Sequence, residues 1–231
     1  MDKAGLAVHT AMSVDYAAWD QAGSNAEVAT AILETADGGL AEIGDILGRM
    51  YELASEAASG SVTDTERDYL DAEYQQLLSQ IDSIVASTTY FGTALLDGAY
   101  DQDFSVSADP SVTPISVDLT ASAFDTTGLA LAADLQSATS SATAQTEIAA
   151  AVTTISSGRA TIGALMSQFD YASGNIETAK TNLESAMGVY MDADIAELSA
   201  EQTQLGVKMD SAIQALSVSN ENLEKLSRLL S

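Results

Sequence analysis

The chain has 231 residues, with 8 Lys and Arg against 34 Asp and Glu, a formal charge of −26, no cysteine, two prolines and one histidine. A charge of that sign repels phosphate backbones and anionic lipid, which excludes nucleic acid and membrane surfaces as partners; the lack of cysteine excludes a disulfide framework, a thiol nucleophile and a Cys-based zinc site. Hydrophobic residues make up 46% but aromatics only 6%, which favours thin, closely packed helices over a thick globular core.

No run in the chain approaches the 18 or so apolar residues of a membrane span, and the N-terminus lacks the basic-then-apolar order of a cleaved signal peptide. From Asn25 to Ala58 the apolar positions Leu33, Ala36, Leu40, Ile43, Leu47, Met50, Ala54 and Ala57 alternate in spacing between three and four. This is a heptad seam on a long helix. Ile32, Ile46 and Leu53 lie one position away and widen the stripe, so the helix should meet more than one neighbour. Gly60 is read as its stop. Thr63 with Glu66 reads as a capping box, opening a second helix from about Asp64 to Ser87 that buries Leu70, Leu77, Ile81 and Ile84.

Between Phe91 and Gly128 the period falls to two. Phe104, Val106 and Ala108 precede Asp109-Pro110, and Ile115, Val117 and Leu119 follow it, which predicts two short strands joined by a turn with Pro110 in second position. Pro114 belongs at a strand start or edge because it has no ladder N–H. An isolated hairpin is marginal and must lean on a helix.

No proline occurs after Ala132. Ile162, Leu165, Phe169, Ala172, Ile176, Ala179, Leu183, Ala186 and Tyr190 keep the three-four spacing, with Ile148, Val152 and Ile155 upstream, while Gly158 and Gly163 mark a bend or phase change. The stretch Ile195 to Leu230 carries a further stripe of Leu198, Leu205, Met209, Ile213, Leu216, Leu223, Leu226 and Leu230, for which the chain offers no partner. The reading is therefore mainly α: a long antiparallel helical rod or coiled-coil bundle with a small β-hairpin region and a C-terminal helix. Residues 1–90 form the first half of the rod, 91–131 the hairpin region, 132–191 the long return helix and 192–231 the C-terminal helix.

Residues that could carry chemistry are few. His9 stands alone, so Ser-His-Asp and His-metal sites are unavailable, and there is no phosphate-binding glycine loop or His-Glu-x-x-His. Asp101 with Asp103 and Asp192 with Asp194 are carboxylate pairs that lack the remaining ligands of a calcium loop; they read as solvated acids or helix caps. Arg159, on or near an apolar stripe, reads as a surface or carboxylate-paired arginine. No enzyme, cofactor or metal is implied.

Several segments in chain order resemble the bacterial flagellins. Ala4-Gly5-Leu6-Ala7 is similar to the family's A-G-L-A, and Gln21 to Ala26 to Q-A-x-R-N-A with Ser24 in place of arginine. Asp37-Gly38-Gly39-Leu40-Ala41-Glu42 resembles E-G-A-L-x-E. Leu47 to Ala54 resembles L-x-R-x-R-E-L-A with Tyr51 replacing the second arginine. Tyr90 to Gly98 is similar to [FY]-N-G-x-x-L-L-D-G with Phe91 replacing asparagine. Arg159 to Ala164 resembles R-x-x-L-G-A, and Asn182-Leu183 through Asp192-Ala193-Asp194-Ile195-Ala196-Glu197 resembles N-L…D-A-D-x-A-x-E.

The resemblance implies a structural subunit that polymerises with its own kind into the extracellular filament of the bacterial flagellum for swimming motility. It implies a short form that starts inside the family's usual beginning, whose missing segment would pair with the C-terminal stripe. It further implies export through the flagellar secretion apparatus without a cleaved signal, a chaperone on the C-terminal segment, and recognition by an innate Toll-like receptor at positions matching Arg49, Leu53 and Glu73. The hook-filament junction protein and a flagellin-like surface adhesin are the nearest alternatives, and a chemoreceptor-type signalling bundle a more distant one.

Overall fold

The computed structural model describes residues 3–120 and 123–229; the side chains at 3–4, 192–195, 197, 224 and 226–229 fall outside the description. Helix α1 (Lys3–Ala57) is followed by α2 (Asp64–Ser87), two small antiparallel pairs, β1 (Thr89–Tyr90) with β2 (Thr93–Ala94) and β3 (Asp101–Phe104) with β4 (Ile115–Asp118), and α3 (Ala138–Leu229). The chain divides into two compact units, residues 18–178 and residues 1–17 with 179–231.

The larger unit holds the core. All eight seam positions from Leu33 to Ala57 are buried, as are Ile32 and Leu53. The helices run antiparallel: Arg159 bonds Asp37, Gln145 Nε2 donates to the Ala54 carbonyl, and Ile176 lies 3.5 Å from where a Cβ on Gly23 would sit. Alternating three-four spacing thus becomes a continuous strip of Leu, Ile and Ala between α1 and the 148–176 stretch of α3. Gly39 of α1 is buried against the segment that follows α2, where no side chain fits: an added Cβ would lie 2.7 Å from Thr88 Oγ1 and 2.9 Å from Leu96 Cδ1.

The end of α1 differs in mechanism from the sequence reading. Gly60 is not among the residues with left-handed backbone, so the helix is not closed by a glycine cap. Arg67, from the first turns of α2, does that work: its Nε donates to the Ala57 carbonyl at 2.9 Å and its Nη2 to the Ser59 carbonyl at 3.1 Å, while Nη1 meets Asp64 Oδ1 at 2.9 Å. The last turn of α1 has no basic residue of its own, and the guanidinium supplies the positive charge that its negative dipole end favours. The start of α2 is as expected. Thr63 Oγ1 accepts from Glu66 N, and Glu66 Oε2 accepts from Thr63 N at 2.7 Å, which holds the Glu66 carboxyl below its usual range.

Helix α2 buries a more polar set than periodicity predicts. Ile81 and Val85 are buried, but so are Arg67, Asp71 and Tyr74, while Leu70, Leu77 and Ile84 are only half-buried. Carboxylates of α2 and of the start of α3 hold the irregular segment between them. Asp71 Oδ1 accepts from Leu135 N at 2.9 Å and Asp82 Oδ1 from Thr126 N at 2.9 Å; Glu147 Oε2 accepts from both Ala132 N and Ala133 N. Extended backbone that would otherwise leave N–H groups orphaned is satisfied in this way.

The larger hairpin is shorter than the period-two stretch. Its strands stop at Phe104 and restart at Ile115, with Val106 and Ala108 half-buried in the connecting loop. The turn is as expected, with Val112 N bonding the Asp109 carbonyl so that Pro110 is its second residue, and Asp109 Oδ1 accepting from Ser111 N. The hairpin leans on α3 through Phe104, whose ring meets Phe169 edge-on at 6.0 Å, and on α1 through Asn25 Nδ2, which donates to the Ser105 carbonyl. The β1–β2 pair escaped the sequence reading because two-residue strands carry no periodicity.

Helix α3 shows no break at Gly158, at Gly163 or between 191 and 192. The C-terminal stretch continues the same helix, so no helix boundary separates the expected 132–191 and 192–231 segments. Glycine costs helix stability relative to alanine but does not end a helix held by packing. In the smaller unit, Lys180 Nζ lies 5.4 Å from the centre of the Tyr16 ring, a cation–π contact between α1 and α3.

Candidate functional site

The residues singled out by the sequence fall in three places: the seam, the α1–α2 face carrying Arg49 and Glu73, and the C-terminal stripe of α3. Within the seam, Leu33, Leu40, Ile43, Leu47 and Met50 from α1 are fully buried, and Ile162, Phe169 and Ile176 from α3 are at most 2% exposed. Leu165 and Leu183 are half-buried. Tyr190, expected as a packing residue, is 44% exposed. Its three-four spacing is right, but the described residues of the smaller unit leave it exposed.

The α1–α2 face brings Arg49 and Glu73 together. Arg49 Nη2 and Nε both donate to Glu73 Oε1, at 2.7 and 2.9 Å, and Nη1 reaches Glu52 Oε2 at 3.1 Å. These carboxylates push the arginine's pKa further up. Leu53 does not share that face. At 1% exposure it belongs to the core, because it falls on the inner edge of the widened stripe one helical turn after Arg49. Arg159, read as carboxylate-paired, meets Asp37 bidentately, Nε to Oδ1 at 2.7 Å and Nη2 to Oδ2 at 3.1 Å, so the R-x-x-L-G-A and E-G-A-L-x-E positions meet across the α1–α3 seam.

Along the C-terminal stripe, Leu198 is 40% exposed and Leu205, Met209, Ile213, Leu216 and Leu223 are 57–67% exposed. Leu226's side chain and Leu230 lie outside the described residues, as do the Asp192 and Asp194 side chains. Asp101 and Asp103 are exposed on β3, Asp101 opposite Asp118 and Asp103 opposite Ser116. No group of three or more His, Asp or Glu side chains among the described residues is arranged to hold a metal ion, and none of the described helices is long and apolar enough to cross a membrane.

Residues 1–101 match the family described as the bacterial flagellin N-terminal helical region, and residues 145–230 the bacterial flagellin C-terminal helical region. The chain is 30% identical to the flagellin of Listeria monocytogenes over 99% of its own length and 85% of the relative's. It is 29% identical to a 30.7 kDa flagellar filament core protein of Treponema maltophilum, over 100% of this chain and 86% of that one. The crystal structure of Bacillus cereus flagellin superposes with a TM-score of 0.60 at 31% identity, covering 71% of this chain and 94% of the other. A putative flagellar hook-associated protein from Vibrio parahaemolyticus has a TM-score of 0.70 at 15% identity, over 81% and 97% of the two chains, a likeness of fold alone. Family matches at both ends, similarity along almost the whole chain and a shared solved fold make this chain a member of the bacterial flagellins, structural subunits of the extracellular flagellar filament.

Proposed function

We propose that the subunit divides its work along α3. The observation that carries this reading is the contrast within one helix: Ile148, Ile155, Ile162, Phe169 and Ile176 are at most 3% exposed, whereas Leu205, Met209, Ile213, Leu216 and Leu223 are at least 57% exposed. The first group completes each subunit's own core. The second is the surface that assembly covers, each side chain gaining about 1.5–3 kcal/mol when fully buried. Before assembly, the same stripe is what an export chaperone holds, and the subunit leaves through the flagellar secretion apparatus without a cleaved signal. Recognition by an innate Toll-like receptor rests on the exposed Arg49–Glu73 pair, with Leu53 acting only through the packing beneath it.

Replacing Leu205 and Ile213 together by serine tests the assembly reading. Helicity is expected to stay near the parent's while filaments disappear from negative-stain images and swimming is lost. Filaments of parental length from the double variant would overturn it.

A further inference from the structure

Phe91 is in an expensive place for its type. It occupies the first central position of the β1–β2 turn with φ +46°, followed by Gly92 at φ +83°, the pair of left-handed residues a type I′ turn requires and for which Asn-Gly is favoured. A bulky side chain in this conformation is strained. Burial does not compensate within the chain, since Phe91 is 94% exposed. Tyr90 meets its ring edge-on at 4.8 Å, which restrains the ring while leaving it outward.

Elsewhere on the same unit lies a hole of suitable size. A pocket of about 280 Å³ opens between the end of β4 and α3, with Leu119, Phe124 and Ile162 as its apolar lining and Thr154 and Ser157 at its edge; an engineered apolar cavity of about 150 Å³ accommodates benzene. Gly158 keeps its floor in place, because a Cβ there would come within 2.7 Å of Phe124 Cζ.

Charge narrows what can approach. Residues 18–178 carry 24 acids and three arginines, and all three arginines are already ion-paired within the chain. Two copies therefore repel over most of their surfaces. The exceptions include residues 83–96, which contain Phe91, and residues 148–158, which contain most of the pocket's α3 wall; neither stretch holds a charge. The acid at the pocket, Asp118, has Oδ1 occupied by Thr120 N and Thr120 Oγ1 at 2.8 and 2.6 Å.

We propose that Phe91 of one copy seats in the Leu119–Phe124–Ile162 pocket of the next copy in the filament. Knob and hole are different patches of the same chain, so the contact is heterologous, the kind that repeats from copy to copy along a filament. A second copy is the occupant that the polymeric family and the uncharged stretches 83–96 and 148–158 select.

Phe91→Asn removes the knob and restores the favoured turn residue. The variant is expected to melt at or above the parent's temperature, while its critical concentration for filament assembly rises about tenfold or more, the loss expected for one buried aromatic ring. Assembly at the parent's critical concentration would overturn the proposal. Because the chain has no cysteine, the contact can also be trapped. Phe91→Cys subunits doped as a minor component into Ser157→Cys filaments should give a disulfide-linked heterodimer on oxidation, with neither variant dimerising alone. Filaments that pellet without the heterodimer, or Phe91→Cys homodimers, would contradict it. Parent subunits pelleted under the same conditions keep the two claims apart: filaments from the parent without the cross-link refute this contact only, whereas a parent that never pellets refutes the filament assignment and the contact with it.

Discussion

Tyr74 shows how a single residue type can mislead a reading based on periodicity. Its ring is fully buried and its hydroxyl has no hydrogen-bond partner. Burial, with the Glu147 and Asp71 carboxylates nearby, pushes its pKa from 10.0 up to about 12. A buried hydroxyl without a partner costs stability, whereas a well-fitting apolar replacement costs little. Tyr74→Phe is therefore expected to stabilise the subunit by about 1 kcal/mol. The parent should also lose stability in alkali that the variant keeps. Because the folded state raises this pKa, Tyr74's contribution is complete below pH 10 and fades as pH rises through about 12. Urea midpoints at pH 9 and pH 11 check both parts; a variant less stable than the parent at pH 9 would show that the hydroxyl has a partner. Other single residues were legible. Thr63 and Glu66 announce a capping box by type and spacing alone, and Pro110 its turn, since both depend on neighbours within three residues. Leu53 carries two readings in the sequence, a stripe position and a motif match, and its burial follows the stripe because motif matching carries residue identity but not the side of the helix that packing occupies.

At the scale of elements, periodicity located the helices well because a three-four repeat is what burying one face of a helix demands. It could not locate what joins them. Asp71 reaches Leu135 N across 64 residues of sequence and Asp82 reaches Thr126 N across 44, and a carboxylate that accepts from distant backbone is written with the same letter as a solvated one. The α1–α2 junction depends most on Arg67, 10% exposed at its side chain, whose guanidinium meets two carbonyls and Asp64. Removing it leaves the end of α1 without its cation and uncovers two carbonyls. Arg67→Ala is expected to lower stability by about 2–3 kcal/mol, with hydrogen bonds to a charged donor each contributing about 1.5–3. Arg67→Lys should recover only a small part, because an ammonium cannot reproduce the planar fork. Guanidinium chloride unfolding measures both; a loss under about 0.5 kcal/mol, the ordinary range for an exposed site, would show that Arg67 is not the cap.

At the scale of the whole molecule, the sequence separated two kinds of apolar stripe that look alike in composition. The stripe from Ile148 to Ile176 has a matching seam in α1 and is buried; the stripe from Leu198 to Leu223 has no such match among residues 1–231 and is exposed. A charge of −26 keeps such subunits apart at low salt and concentrates useful contact on uncharged or apolar patches. The account therefore predicts a subunit folded through its middle, with a C-terminal stripe that is covered on assembly. Hydrogen exchange across the chain, on depolymerised subunits and on intact filaments, tests this most directly, since protection follows local packing. Amides in residues 22–57 and 144–176 should be protected in both states, while those in residues 198–223 exchange rapidly in the subunit and become protected in the filament. Equal, strong protection of residues 198–223 in dilute subunits would contradict the account.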